Sequence, residues 1–320
     1  MSRIERFVGV DLWAEGQAGR PANESGVAAL DRAGRVVDAG WTRGLDDTVA
    51  WIAATTADQP ALLFVDAPLP VENPTGQRPC ETQVGQRYGR WRVSANTSNL
   101  GSRHLAGVTL LRRLQGLGWS YADGQQWPAR DRSVFECYPY TTLVGVAELG
   151  YDVERPRYKR KPRAVRPAEW RPVRAAACDD LLVRLTGLRA VDPPLQFDSH
   201  PATRALLEEP SPARDVPYKH REDLIDAVLC AWTAALWDRH GTARCQVLGL
   251  PATAGPGRDH HRAGPSGAAT TFRIGPCLRL HRSASCALLS RRPTTTRLSG
   301  STGTCSACPN APRSPHRTVG

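Results

Sequence analysis

Residues 7–13 read FVGVDLW and residues 62–68 read LLFVDAP. Each is an apolar run of strand length, and each carries one aspartate near its C-terminal end, where an unpartnered buried charge is costly. Side chains alternate with period two along a strand, so Asp11 shares a face with Phe7 and Gly9, and Asp66 with Leu62 and Phe64. If the two strands lie side by side and parallel, about 4.8 Å apart, both carboxylates arrive together at one end of a sheet. A third run, SVFECYP at residues 133–139, carries Glu136 in the same manner.

The elements around these runs supply the setting. RFVGVDLW at 6–13, GVAALD at 26–31 and RVVDAGWT at 35–42 read as three successive strands, with Arg32, Ala33 and Gly34 turning a tight hairpin between the last two. DDTVAWIAATT at 46–56 follows as an amphipathic helix capped by Asp46 or Asp47. ALLFVDAPL at 61–69 is a strand apolar on both faces, stopped by Pro68 and Pro70. Residues 72–102 read as a long polar loop, 103–118 as a helix and 133–139 as a fifth strand, with further helices near 139–149, 168–187 and 201–209. The last helix spans 215–241, with Asp215 as N-cap, Pro217 in the first turn and Gly241 at the stop. A three-strand meander followed by alternating helices and strands implies an α/β fold: a mixed five-stranded sheet flanked by helices. That order matches the ribonuclease H-like fold.

On the last helix, Glu222, Asp223 and Asp226 are spaced by three and four, so Asp226 shares a face with both. Asp226 lies inside LIDAVLCAW at 224–232, where a helix face should be buried. Close carboxylates raise one another's pKa unless a cation neutralises them, and Mg²⁺ or Mn²⁺ suits oxygen ligands. Two such ions about 4 Å apart would stabilise in-line displacement at a phosphodiester. Asp11, Asp66, Glu136 and Asp226 are therefore the candidate catalytic acids, and Asp11, Asp66, Asp223 and Asp226 the candidate metal ligands. Each has a plainer reading alone: a loop starter or cap for Asp11 and Asp66, an arginine partner for Glu136, a helix-dipole charge for Glu222 or Asp223.

GVDLW, FVDAPL, FECYP and KHREDLIDAVLCAW resemble the motifs of domain-of-unknown-function family 429, regarded as nucleases with a ribonuclease H-like fold. The resemblance covers about residues 5–250. The final motif is also similar to the end of Holliday-junction resolvases of the RuvC type, where an Asp-x-x-Asp-Ala supplies metal ligands; here that is Asp223-Leu-Ile-Asp226-Ala227. The resemblance implies that Asp11 is a first-strand ligand bridging the metals, Asp66 the fourth-strand acid and Asp226 the helix ligand, with Asp223 beside it. Fold is the stronger implication, since activity does not follow from fold alone.

Charge points to nucleic acid, DNA or RNA being left open. The loop after the fourth strand carries Arg78, Arg87, Arg90, Arg92 and Arg103 with Tyr88 and Trp91 interleaved, a mixture suited to phosphates and stacked bases. Residues 155–174 hold nine Lys and Arg against one Glu and read as a proline-rich basic loop at the sheet's edge, or else a solvated surface. The net charge of +11 is concentrated in the tail: residues 251–320 hold 10 Arg against the single Asp259. That tail lacks helical or strand periodicity and is expected to be disordered. The chain has 39 Arg and 3 Lys, which suggests a GC-rich gene; shifting Arg258–Thr270 by one nucleotide in GC-rich codons gives GTIIGPARPEQR, so a frameshifted tail is a further expectation. His260, His261 and the Cys305, Cys308 pair lack the partners a zinc site needs.

Nine cysteines without regular spacing argue against a disulfide scaffold, and the first five sit in contexts suited to buried thiols. No apolar run is long enough for a membrane span, and the opening MSRIERFVGV has no h-region, which together lead to the expectation of a cytoplasmic chain. An actin-like nucleotide site is disfavoured because Leu12 and Trp13, not small residues, follow Asp11. Serine hydrolases and P-loop enzymes are disfavoured by missing motifs. A non-catalytic nucleic-acid or protein-binding module on the same fold is the alternative to a nuclease, and oligomeric state is left open.

Overall fold

A computed structural model describes residues 3–13, 23–57, 59–103, 105–125, 131–159, 161–162, 164–250 and 273–276. Its centre is a mixed sheet of β1 (Arg6–Asp11), β2 (Glu24–Leu30), β3 (Val36–Arg43), β4 (Ala61–Asp66), β5 (Ser120–Tyr121) and β6 (Arg132–Glu136). The spatial order is β3-β2-β1-β4-β6-β5. The first three strands are antiparallel and β4, β6 and β5 join in parallel. This is the expected ribonuclease H-like order with six strands in place of five. The added member, β5, is a two-residue edge pairing too short to leave a periodic signal in the sequence.

Helices cover both faces. On one lie α1 (Gly44–Thr56) and α3 (Ala106–Gly116), over a core of Val8, Val10, Leu63, Val65 and Val134. On the other, α7 (Asp215–His240) packs over Phe7, Leu62, Phe64 and Phe135, with α4 (Pro139–Gly145), α5 (Pro167–Gly187) and α6 (Pro201–Glu208) contributing to the same core. The alternation along β1 and β4 divides their apolar residues between these two layers. From Asp223 to Trp237 every residue of α7 is buried, as expected of a helix enclosed all round. Asp215 is its first residue rather than its cap, and its carboxylate pairs with Arg171 and Arg174. Gly241 ends it with φ 50°, in the region that favours glycine.

Two glycines set how closely α7 approaches the sheet. A Cβ on Gly9 would lie 2.0 Å from the Ala227 carbonyl oxygen, and one on Gly26 would lie 2.1 Å from the Asp223 carbonyl oxygen. Backbone therefore rests on backbone where the helix crosses β1 and β2. Gly9→Ala is expected to push α7 outward and cost about 3 kcal/mol, the upper range for overpacking. Urea denaturation checks this, and a loss below about 1 kcal/mol would show that the helix can shift freely.

The stretch read as a polar loop contains α2 (Pro79–Tyr88), which buries Cys80, Glu81, Val84 and Tyr88. Residues 167–174, read as part of a basic loop, are the first two turns of α5. Cys80, Cys137, Cys178, Cys230 and Cys245 are free and buried. No helix among the described residues is long and apolar enough to cross a membrane. β7 (Cys245–Leu248) pairs antiparallel with β8 (Arg273–Pro276), so the region expected to lack structure contributes one four-residue strand. The rest of the tail, including the frameshift candidate at 258–270 and the His260–His261 and Cys305–Cys308 pairs, lies outside the described residues.

Candidate metal centre

β1 and β4 are parallel and in register, with Asp11 opposite Asp66. Asp11 also faces Gly26 across β1 and β2, and the close seat of α7 on Gly9 and Gly26 lowers Asp226 onto the same sheet end. Asp11, Asp66 and Asp226 each offer an oxygen within 4.8 Å of the others. Asp11 is buried, Asp66 half-buried and Asp226 fully enclosed.

The three acids are not alone. Tyr158 donates its hydroxyl to Asp226 Oδ1 at 2.5 Å, and the Lys159 ammonium forms an ion pair with Asp226 Oδ2. Burial, then Tyr140 and Glu222, holds the Tyr158 hydroxyl well above the ordinary phenol range, so it remains a donor. Burial works against the charge of Lys159, but Asp11, Asp66 and Glu222 outweigh it and leave its pKa raised. One helical turn from Asp223, Lys219 pairs with Asp223 Oδ1 and with Glu222 Oε1 at 3.0 Å, and sits 4.5 Å over the Trp13 ring. Burial opposes its charge too, and Asp11, Glu222 and Asp223 prevail.

Asp223, expected as a fourth ligand, directs Oδ1 to Trp13 Nε1 at 3.2 Å and to Lys219. Its carboxyl is pushed up to about 8, by burial first and by Asp11 second. Glu136 does not reach the cluster. It stands opposite Val65, not Asp66, so its side chain leaves the other face of the sheet. There both its oxygens take the Arg78 guanidinium at 2.7 Å. Arg78, expected at the substrate surface, is correspondingly buried, with Glu81 as its second partner at 2.8 Å.

Asp11 and Asp66 line a cleft of about 690 Å³, and Asp226 is enclosed beside them. Ser94, Asn96, Thr97, Ser98 and Ser102 make one polar wall, Tyr138 and Tyr140 another, and Lys159 and Lys219 the cationic rim. Arg87, Arg90, Arg92 and Arg103 are exposed but do not line this cleft. Arg90 covers the Trp91 ring at 3.5 Å and Arg92 pairs with Glu154. The basic segment beginning at Arg155 is no simple surface loop, because it delivers Tyr158 and Lys159 to Asp226. Lys219 was findable from its spacing of three and four to Glu222 and Asp223; Tyr158 and Lys159 come from irregular backbone and left no such sign.

The model of the family described as "Protein of unknown function (DUF429)" matches residues 9–249. The chain belongs to that family. Its matched span begins in β1 and ends just after β7, and so contains the three acids and both lysines of the DUF429 cleft. No curated protein and no solved structure matches the chain.

Three carboxylates at this spacing are a donor set suited to a hard divalent cation. Asp226 supports that fit directly: its Oδ2 is enclosed and met by the Lys159 ammonium, so the position already attracts positive charge.

Proposed function

We propose that the chain is a Mg²⁺- or Mn²⁺-dependent nuclease that hydrolyses phosphodiester bonds. The observation that carries this reading is the convergence of Asp11, Asp66 and Asp226, the first two lining a polar cleft that also holds Lys159 and Lys219. These three would hold the ion, which when bound would polarise a phosphate oxygen and lower the pKa of an attacking water. Tyr158 fixes the rotamer of Asp226 by donating to Oδ1, and Oδ2, now paired with Lys159, would be its oxygen for the ion. The wall hydroxyls and the Asn96 amide suit phosphate and sugar oxygens, and the Tyr138 and Tyr140 rings suit bases. Lys219, fixed by Glu222, Asp223 and Trp13, would oppose charge developing on the phosphorane. Asp223, whose Oδ1 Lys219 and Trp13 engage, stands outside the three acids that converge. The exposed Arg87, Arg90, Arg92 and Arg103 would follow the backbone outside the cleft, giving affinity that falls steeply with salt.

The test is cleavage of labelled single- and double-stranded DNA and RNA by the full chain with Mn²⁺ or Mg²⁺. Cleavage should vanish with chelator and fall about 10³-fold in Asp11→Asn, a loss of about 4 kcal/mol in transition-state stabilisation. Protein that binds Mn²⁺ yet cleaves none of these substrates would overturn the nuclease reading; a variant that cleaves normally would overturn the assignment of Asp11.

A further inference from the structure

We propose that Lys159 is a tethered counter-ion that occupies the divalent cation's seat and must be displaced from Asp226 Oδ2 when the ion binds. This rests on the metal reading above and adds to it how the seat is guarded and what it selects. Asp226 has two oxygens and each already has a partner, the Tyr158 hydroxyl on Oδ1 and the Lys159 ammonium on Oδ2. Only the second is a charge in the cation's place. The two neighbours are also anchored differently. Tyr158 is fully buried, and its backbone carbonyl accepts a hydrogen bond from Tyr218, so that residue is fastened to the core of α5 and α7. Lys159 is 16 % exposed at its side chain and lines the cleft, and its ammonium lies 5.2 and 5.5 Å from the Tyr140 and Tyr158 ring centres. A rotation about its own side-chain bonds is enough to move the ammonium from Asp226 into the cleft, where water and the tyrosine faces receive it.

Charge decides which ions can take the place. Three carboxylates with one ammonium among them still carry a deficit of positive charge, which a divalent ion relieves and a monovalent ion does not. A tethered ammonium is also present at high effective concentration, so Na⁺ or K⁺ gains nothing by replacing it. Lys159 thus offsets part of the acids' charge in the metal-free protein, lowers the affinity for every cation, and leaves divalent ions as those able to compete.

The experiment is calorimetric titration of MnCl₂ alone into the full chain, comparing wild type, Lys159→Met and Lys161→Met. Lys161 is two residues away and bonds to the Pro162 and Val165 carbonyls, so it controls for loss of a nearby charge. Lys159→Met should bind Mn²⁺ about tenfold tighter or more, while Lys161→Met matches wild type. Equal or weaker binding by Lys159→Met overturns the counter-ion role and leaves the metal site standing. Absence of binding in every protein overturns both readings. If Lys159→Met does not fold without metal, amine acylation of wild type followed by mass spectrometry takes its place: Mn²⁺ should raise labelling at Lys159 several-fold, and unchanged or reduced labelling overturns the displacement.

Discussion

Asp226→Asn is expected to reduce Mn²⁺ affinity by at least about a hundredfold while the protein stays folded. Loss of a supporting group around a metal typically costs 10- to 100-fold, and here a charged ligand itself is removed. The amide is nearly the same size, so the close seat of α7 on Gly9 and Gly26 is preserved. Its oxygen still accepts from Tyr158, but it carries no charge for Lys159 or for a cation. Breaking a buried ion pair usually leaves a stranded charge. Lys159 is spared that outcome because it borders the cleft and keeps Asp11 and Asp66 nearby. Calorimetry and a thermal melt on the same sample check the two halves: wild-type Mn²⁺ affinity would remove Asp226 from the site, and collapse of the melt would make the binding loss uninformative.

How far this site can be read from sequence depends on parity and periodicity. Asp11 and Asp66 sit at equivalent places in two strands of equal length, so one assumption, parallel pairing, brings them together, and the register obeys it. Asp226 was visible because a charge inside LIDAVLCAW has no solvent to face. Glu136 obeys the same visual pattern and fails by one residue: pairing with Val65 turns it through the sheet. Nothing in a single strand's sequence fixes that register, which is set by how β6 meets β4. The α2 helix was legible in principle, since Cys80, Val84 and Tyr88 recur every four residues behind Pro79, but the surrounding polar residues hid the spacing. Tyr158 and Lys159 reach the site from irregular backbone, where no period exists to be read.

Arg78→Met should destabilise the protein by about 3–5 kcal/mol, the cost of stranding buried charges, and lower the melting temperature by roughly 10 °C. The contrast with Lys159 is in the surroundings. Arg78, Glu81 and Glu136 have side chains no more than 1 % exposed, so neither carboxylate can turn to water when its guanidinium is gone. Arg78 also donates to the Pro70 carbonyl, Glu136 accepts from the Leu69 amide, and Glu81 accepts from the Ser98 amide. One guanidinium therefore joins the end of β6, the exit from β4, the start of α2 and the cleft wall that contains Ser98. Lysine cannot replace it, because the contact with Glu136 is bidentate and Nε is already committed to Glu81. Arg78→Lys should recover little of the loss. If the arginine instead served substrate at the surface, Arg78→Met would leave stability within about 1 kcal/mol of wild type and weaken nucleic-acid binding alone. Urea denaturation of the metal-free chain separates the two, and its outcome also bears on catalysis: a wall that loses Glu81 as the acceptor for Ser98 presents its hydroxyls to the cleft in no fixed place, so activity should fall together with stability.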